Sequence, residues 1–267
     1  MWHLLFSDEQ YRDELIRWEN RLVKQCKICL GEGSIPTKDG TNRATMCSCF
    51  KEAHLNAKLV SCGVPRKYVT NKWTWEGCVQ EQFVKQCKDY SDSFEENYFD
   101  GKGLYLFGAL GRGKSTMESL IARDIAEKIN PDTGSQFTVA FRIYEDIVQL
   151  KRQTHNDKSA LYRFNKLVNR PDLLIIDNIG SEVGFGSDTG YTTKLLEYIL
   201  RMRDNLCLPT IISSNLTPEE LYDVYSDTIG DFIVENYKLI SVTGDNHRKK
   251  ISATDMVNDF LDGGEDW

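Results

Sequence analysis

Nowhere in the 267 residues does an apolar run approach the roughly 20 needed to cross a bilayer. The N-terminus, MWHLLFSDEQYRDE, turns acidic too soon for a secretory signal peptide, so the cytoplasm is the expected location and no membrane partner is expected. Positive charge is short as well. With 33 basic against 40 acidic residues and a net charge of -7, the chain lacks a blanket electrostatic footprint for nucleic acid, and any DNA contact must be local. No internal repeat is visible, and only residues 262–267 have the composition of a disordered tail. What is present is 40% hydrophobic and 27% charged residues, the make-up of a globular protein with enough apolar material for a sizeable core. The length suits one domain of ordinary size behind an N-terminal extension.

Three parts are expected: an N-terminal domain over 1–62, a linker over 63–77 and a larger domain over 78–267. In residues 7–24, Tyr11, Leu15, Ile16, Trp18, Leu22 and Val23 recur at helical spacing. That stripe packs on its own domain or forms a partner-binding face. A second helix is expected over 50–62, broken by Gly63-Val64-Pro65. Beyond residue 77, short apolar runs alternate with longer amphipathic ones. Strands are expected at 103–107, 136–143, 173–177 and 210–214, and helices at 115–129, 144–152, 161–169 and 189–204. That order predicts an α/β fold, a parallel sheet covered by helices on both faces.

The strand Leu104-Tyr105-Leu106-Phe107 runs into Gly108-Ala109-Leu110-Gly111-Arg112-Gly113-Lys114-Ser115, which satisfies GxxxxGK[ST] between a strand and a helix. Glycine lets such a loop curl so that its N–H groups and the following helix N-terminus surround phosphate oxygens. Gly108, Gly111, Arg112, Gly113, Lys114, Ser115 and Thr116 are therefore the candidate ATP/ADP-binding residues. Lys114 is expected to neutralise β- and γ-phosphate charge, and Ser115 to ligate Mg2+. Asp177, closing the run Leu173-Leu174-Ile175-Ile176, is the expected second group on the magnesium side. Many ATPases place Glu next, to activate the attacking water. Here the residue is Asn178, which accepts no proton at neutral pH. Hydrolysis is then slow, or another acid serves; Glu182 is a candidate to reach back, and an idle surface Glu is the other reading. Asn215, after the strand 210–214, is expected to sit beside Asp177 and to bond the γ-phosphate or the water, unless it is only a turn residue. Thr217 before Pro218 is the better helix cap.

Four of the eight cysteines, Cys26, Cys29, Cys47 and Cys49, lie in a Gly- and Thr-rich stretch that cannot build a core unaided. Cys-x-x-Cys and Cys-x-Cys halves supply four thiolates, enough for tetrahedral zinc, with His54 or Cys62 as possible replacements for one ligand. Four free thiols is the alternative.

Taken together, the P-loop after LYLFG, LLIIDNIGSE, LPTIISSNLTPEEL, GVPRKY and the cysteines ahead of them resemble the DnaC/DnaI type of replicative helicase loader, an AAA+ family with IstB-type relatives. The resemblance implies an AAA+ domain behind a small helical zinc-binding domain that contacts a hexameric DnaB-type helicase, in a bacterial cell or a phage-infected host. It also implies loading of that helicase onto single-stranded DNA, with Asn215 as sensor 1 and Arg248 as a sensor-2 arginine. Arg203 matches a basic position of the family. Where family members carry arginines that reach a neighbour's nucleotide, this chain reads Ser226-Asp227-Thr228-Ile229-Gly230-Asp231-Phe232. Their loss, with Asn178, points to a weak or partner-dependent ATPase, and to a monomer that oligomerises, if at all, on DNA or helicase. The alternatives are an IstB-like transposition ATPase on duplex DNA, or a nucleotide-binding helicase adaptor or inhibitor with little hydrolysis. Residues 151–158 and 162–166 offer basic and aromatic groups for DNA, as do Lys249 and Lys250; solvated helix faces explain them equally.

Overall fold

The computed structural model describes residues 8–37, 43–70, 73–78, 81–184 and 189–244. Helix α1 (Asp8–Trp18) continues as a π-helical turn, Glu19–Val23, so the expected single helix over 7–24 changes pitch after Trp18. A short antiparallel hairpin, β1 (Ser34–Pro36) and β2 (Ala44–Met46), precedes α2 (Ser48–Cys62). Gly63 ends α2 with a left-handed φ of 104°. Then come α3 (Arg66–Thr70), α4 (Gln82–Asp92), α5 (Phe94–Phe99), β3 (Gly103–Phe107), α6 (Lys114–Glu127), β4 (Val139–Ile143), α7 (Tyr144–Gln153) and α8 (Lys158–Asn169). The rest is β5 (Leu173–Ile179), a 3-10 turn (Ser181–Gly184), α9 (Thr189–Asn205), β6 (Thr210–Ser214), α10 (Pro218–Val224), α11 (Asp227–Asn236) and β7 (Tyr237–Ser241).

Five strands form one parallel sheet in the order β4-β5-β6-β3-β7. Because side chains alternate faces along a strand, each strand feeds two cores. Leu104, Leu106, Phe141, Ile175 and Ile211 join Leu120, Ile121 and Ile125 of α6 on one face. Tyr105, Ala140, Leu174, Ile176 and Ile212 meet Ile147, Phe164, Ile199 and Ile229 on the other. The expected strand 136–143 begins three residues late, since Gln136 bridges back to Ile129 in an isolated antiparallel pair.

The core under α6 runs on without a break into the N-terminal helices: Trp18, Val23, Ala53, Leu55 and Leu59 belong to the same buried cluster. Apart from Ile16, which is exposed, the apolar stripe of α1 and the turn after it thus packs into the core it shares with α2. Polar ties reinforce the contact. Arg123 on α6 grips both oxygens of Glu52 at 2.7 and 2.6 Å, and Lys58 Nζ donates to Ala126 O and Gln136 Oε1 at 2.6 and 2.7 Å. Arg142 Nη1 on β4 reaches Cys62 O at 2.7 Å. Within the segment expected as a linker, α3 is helical and Val64 and Val69 are buried. Among the described residues, no helix is long and apolar enough to cross a membrane.

Candidate nucleotide site and cysteine cluster

At the carboxyl end of β3 the chain turns into the Gly-rich loop and then α6, at the edge of the sheet where ligands of open parallel sheets bind. Gly108 has φ 147°, and a Cβ there would lie 2.3 Å from Val242 O, so only glycine lets the loop leave the strand. Gly113 caps α6 at φ 103°. Buried Lys114 folds back over the loop, its Nζ donating to Gly108 O, Ala109 O and Asn215 Oδ1 at 2.5, 3.1 and 2.8 Å. Parallel pairing of β3 with β6 is what delivers Asn215 to Lys114 across 101 residues.

The Ser115 hydroxyl donates to Asp177 at 3.1 Å, and Ser213 Oγ to the same carboxylate at 2.7 Å. A hydroxyl and a carboxylate this close are hard oxygen donors that fit Mg2+. Gly111, Arg112 and Thr116 are half-buried around them. The structure therefore brings Lys114, Ser115, Asp177 and Asn215 together from α6, β5 and the end of β6, with Asn215 bonded to Lys114.

Asn178 sits at φ 65° where β5 shifts register against β6, its N–H donating to Ser213 Oγ at 3.2 Å. Asn tolerates the left-handed region better than most residues. The carboxylate of Glu182 is engaged elsewhere: it accepts from the Tyr225 hydroxyl and from Gly180 N–H (2.8 Å), and burial raises its pKa. Glu182 is thus a buried strut of the loop after β5, which its sequence position did not reveal. Arg248, like Lys249 and Lys250, lies outside the described residues. Arg203 is fully buried, donating to Thr210 Oγ1, Val168 O, Pro171 O and Pro209 O, the first, second and fourth at 2.8, 2.7 and 2.7 Å. Its task is to tie α8, α9 and β6 together. Thr217 caps α10 in a reciprocal pair with Glu220, leaving Asn215 to Lys114.

One acid escaped the sequence reading. Glu118, one turn after Ser115 on α6, is fully buried beside Asp177 and Ser213; burial first, then the charge of Asp177, raises its pKa well above the carboxylate range.

The second candidate centre is N-terminal. Ligand atoms of Cys26, Cys29, Cys47 and Cys49 all lie within 4.8 Å of one another, with Cys26 and Cys47 sulfurs 3.8 Å apart and those of Cys29 and Cys49 3.5 Å apart. Tetrahedral zinc with 2.3 Å bonds sets sulfurs about 3.8 Å apart, so the set fits. Cys47 is the N-cap of α2 and Cys49 lies in its first turn, where exposed N–H groups favour thiolates. The backbone N–H groups of Cys29 and Ile28 lower the Cys26 thiol to about 6, whereas burial raises that of Cys49. His54 and Cys62 are not in this set. His54 Nδ1 pairs with the Tyr11 hydroxyl at 2.8 Å, and Cys62 closes α2 thirteen residues beyond Cys49, about 20 Å along the axis.

On the opposite face of the sheet, Lys151 lies 4.5 Å from the Phe164 ring, and Lys166 5.7 Å from the Tyr162 ring, which is exposed. Both basic segments therefore present cations beside aromatics on α7 and α8.

No family model matches the chain. It is 31% identical over 134 residues to the replicative helicase loader DnaI of Bacillus subtilis (strain 168), a match that takes in 50% of this chain and 39% of that relative's length. Among solved structures, DnaI is similar at TM-score 0.51 and 20% identity (69% of this chain, 94% of that one). The DnaC helicase loader is similar at TM-score 0.54 and 22% identity (67% and 100%). DnaA from Aquifex aeolicus, bound to AMPPCP, gives TM-score 0.51 and 19% identity (71% and 56%). The fold is that of the DnaI, DnaC and DnaA structures, with a cysteine cluster ahead of its parallel sheet, and in sequence the chain resembles the replicative helicase loader DnaI.

Proposed function

We propose that this protein is an ATP-binding loader of a DnaB-type replicative helicase, acting on single-stranded DNA in the bacterial cytoplasm when replication is initiated. The observation that carries the reading is the similarity to DnaI in a chain whose Lys114, Ser115, Asp177 and Asn215 meet at one phosphate-binding loop. When bound, ATP would supply the phosphoanhydride to be cleaved, and Mg2+ would neutralise its charge. Lys114, which bonds the carbonyls of Gly108 and Ala109 and the side chain of Asn215, would turn to the phosphate oxygens, and Asn215 beside it would be placed to sense the γ-position. Ser115 and Asp177 would hold the cation, and Cys26, Cys29, Cys47 and Cys49 would hold a zinc ion that staples the module proposed to grip the helicase. Cations and aromatics on α7 and α8 suit a single strand, whose phosphates and bases they would take.

Turnover is the weak function here. Asn178 supplies no general base and Glu182 is engaged by Tyr225, which favours a second reading, a helicase adaptor for which nucleotide is a conformational ligand. One experiment separates the two: nucleotide binding and ATP hydrolysis by the protein alone, with single-stranded DNA, and with the helicase of its host, Lys114→Ala serving as control. Turnover appearing only with partners supports the loader, and tight binding without turnover under any condition supports the adaptor. A protein that neither binds nucleotide nor co-purifies with the helicase refutes both.

A further inference from the structure

The acidic complement of the magnesium site is larger than its motif. Glu118 is wholly sealed from water, and neither of its carboxylate oxygens is paired at ordinary hydrogen-bond geometry, the Ser213 hydroxyl and the Asp177 carboxylate being its polar neighbours. Asp177 and Ser213 act on it at close range, with Lys114 offsetting part of the repulsion. Donors nearby are already committed. The single hydroxyl proton of Ser213 goes to Asp177 Oδ1, that of Ser115 goes to the same carboxylate, and Lys114 Nζ serves Gly108, Ala109 and Asn215. An unpartnered buried carboxylate is strongly unfavourable, and apolar Met117, Leu120 and Ile121 around it show what else this helix could carry there. Two carboxylates and a serine hydroxyl at one spot are the donor chemistry of a divalent cation.

We propose that Glu118 is a second acid of the magnesium site, a positioning residue acting through Asp177, and that the pair lets the protein take up a divalent cation before any nucleotide arrives. This rests on the P-loop reading above. The cation then enters as a preformed part of the phosphate cradle.

The test is a titration of the zinc-loaded full-length protein with Mn2+ in the absence of nucleotide, following free Mn2+ by electron paramagnetic resonance. ADP binding is measured on the same sample. Wild type is expected to bind one Mn2+ per chain, Glu118→Gln about 10- to 100-fold more weakly, the range found when a metal ligand loses its support. Glu118→Leu, which replaces the buried carboxyl with apolar volume, is expected to lose the binding while unfolding at higher temperature in metal-free buffer. It keeps the test decisive should the Gln variant fold poorly. Wild type that takes up no Mn2+ without nucleotide, or variants that bind it as wild type does, overturn the proposal while ADP binding persists. Loss of ADP binding in the wild type would instead sink the P-loop reading itself.

Discussion

Replacing Asn178 by Asp adds the missing proton acceptor without asking the backbone to change. At φ 65° most residues pay about 1–2 kcal/mol for the left-handed region, whereas Asn and Asp enter it at little cost. Asn178→Asp should therefore leave the urea midpoint within about 0.5 kcal/mol of wild type, the range of an ordinary surface change. Asn178→Glu, with the longer acid, should lose about 1 kcal/mol to the backbone. A positioned general base contributes about 10²- to 10⁴-fold, and the short side chain argues for the lower end, about 10²-fold in kcat. The new carboxylate lies next to Asp177, so more Mg2+ should be needed for half-maximal rate. The assay is phosphate release with single-stranded DNA and helicase present, at saturating ATP, with Asn178→Gly as the control that relaxes the backbone without adding an acid. If Asn178→Asp is no faster than wild type, or Asn178→Gly is equally fast, the missing carboxylate does not limit hydrolysis and the reasoning fails.

Other consequences are open to measurement. Arg203→Leu strands the carbonyls of Val168 and Pro171 in the interior, Pro209 O keeping its bond from Leu174 N–H, and should cost about 3–5 kcal/mol in urea unfolding. Burial lowers the pKa of Lys58 from 10.5 to about 7. The unfolded chain therefore holds a proton on this amine that the folded one lacks between about pH 7 and 10.5. Stability should rise with pH across that window, and the slope should shrink in Lys58→Met, read by thermal unfolding at a series of pH values. Cys47→Ser should abolish stoichiometric zinc by metal analysis, and chelation of the wild type should expose the 26–49 segment to protease while nucleotide binding persists.

The strands were legible because a parallel sheet buried on both faces writes itself as unbroken apolar runs: 103–107 and 210–214 are observed with those bounds. β7 was not legible. Its Tyr237-Lys238-Leu239-Ile240-Ser241 lies at the sheet edge, where one neighbour and partial exposure permit a mixed sequence. Of helix α10 the sequence showed only the start, in Thr217 before Pro218, because its seven residues are too few for periodicity to stand out. Arg203 stood out only as a basic position of the resembled family, because a sequence does not show that the carbonyls of Val168, Pro171 and Pro209 will surround a guanidinium.

By itself, the sequence determined the chemistry that local rules dictate: a Gly-rich loop between strand and helix, a strand ending in Asp177, and cysteines at ligand spacing. Those features depend on backbone conformation and residues near in the chain. Only the tertiary structure decided that Lys114 meets Asn215, that Glu182 belongs to Tyr225, and that Glu118 is buried beside Asp177. Each depends on elements dozens of residues apart being brought within a few ångströms, and burial, which sets the energy of a charge, is a property of that packing alone.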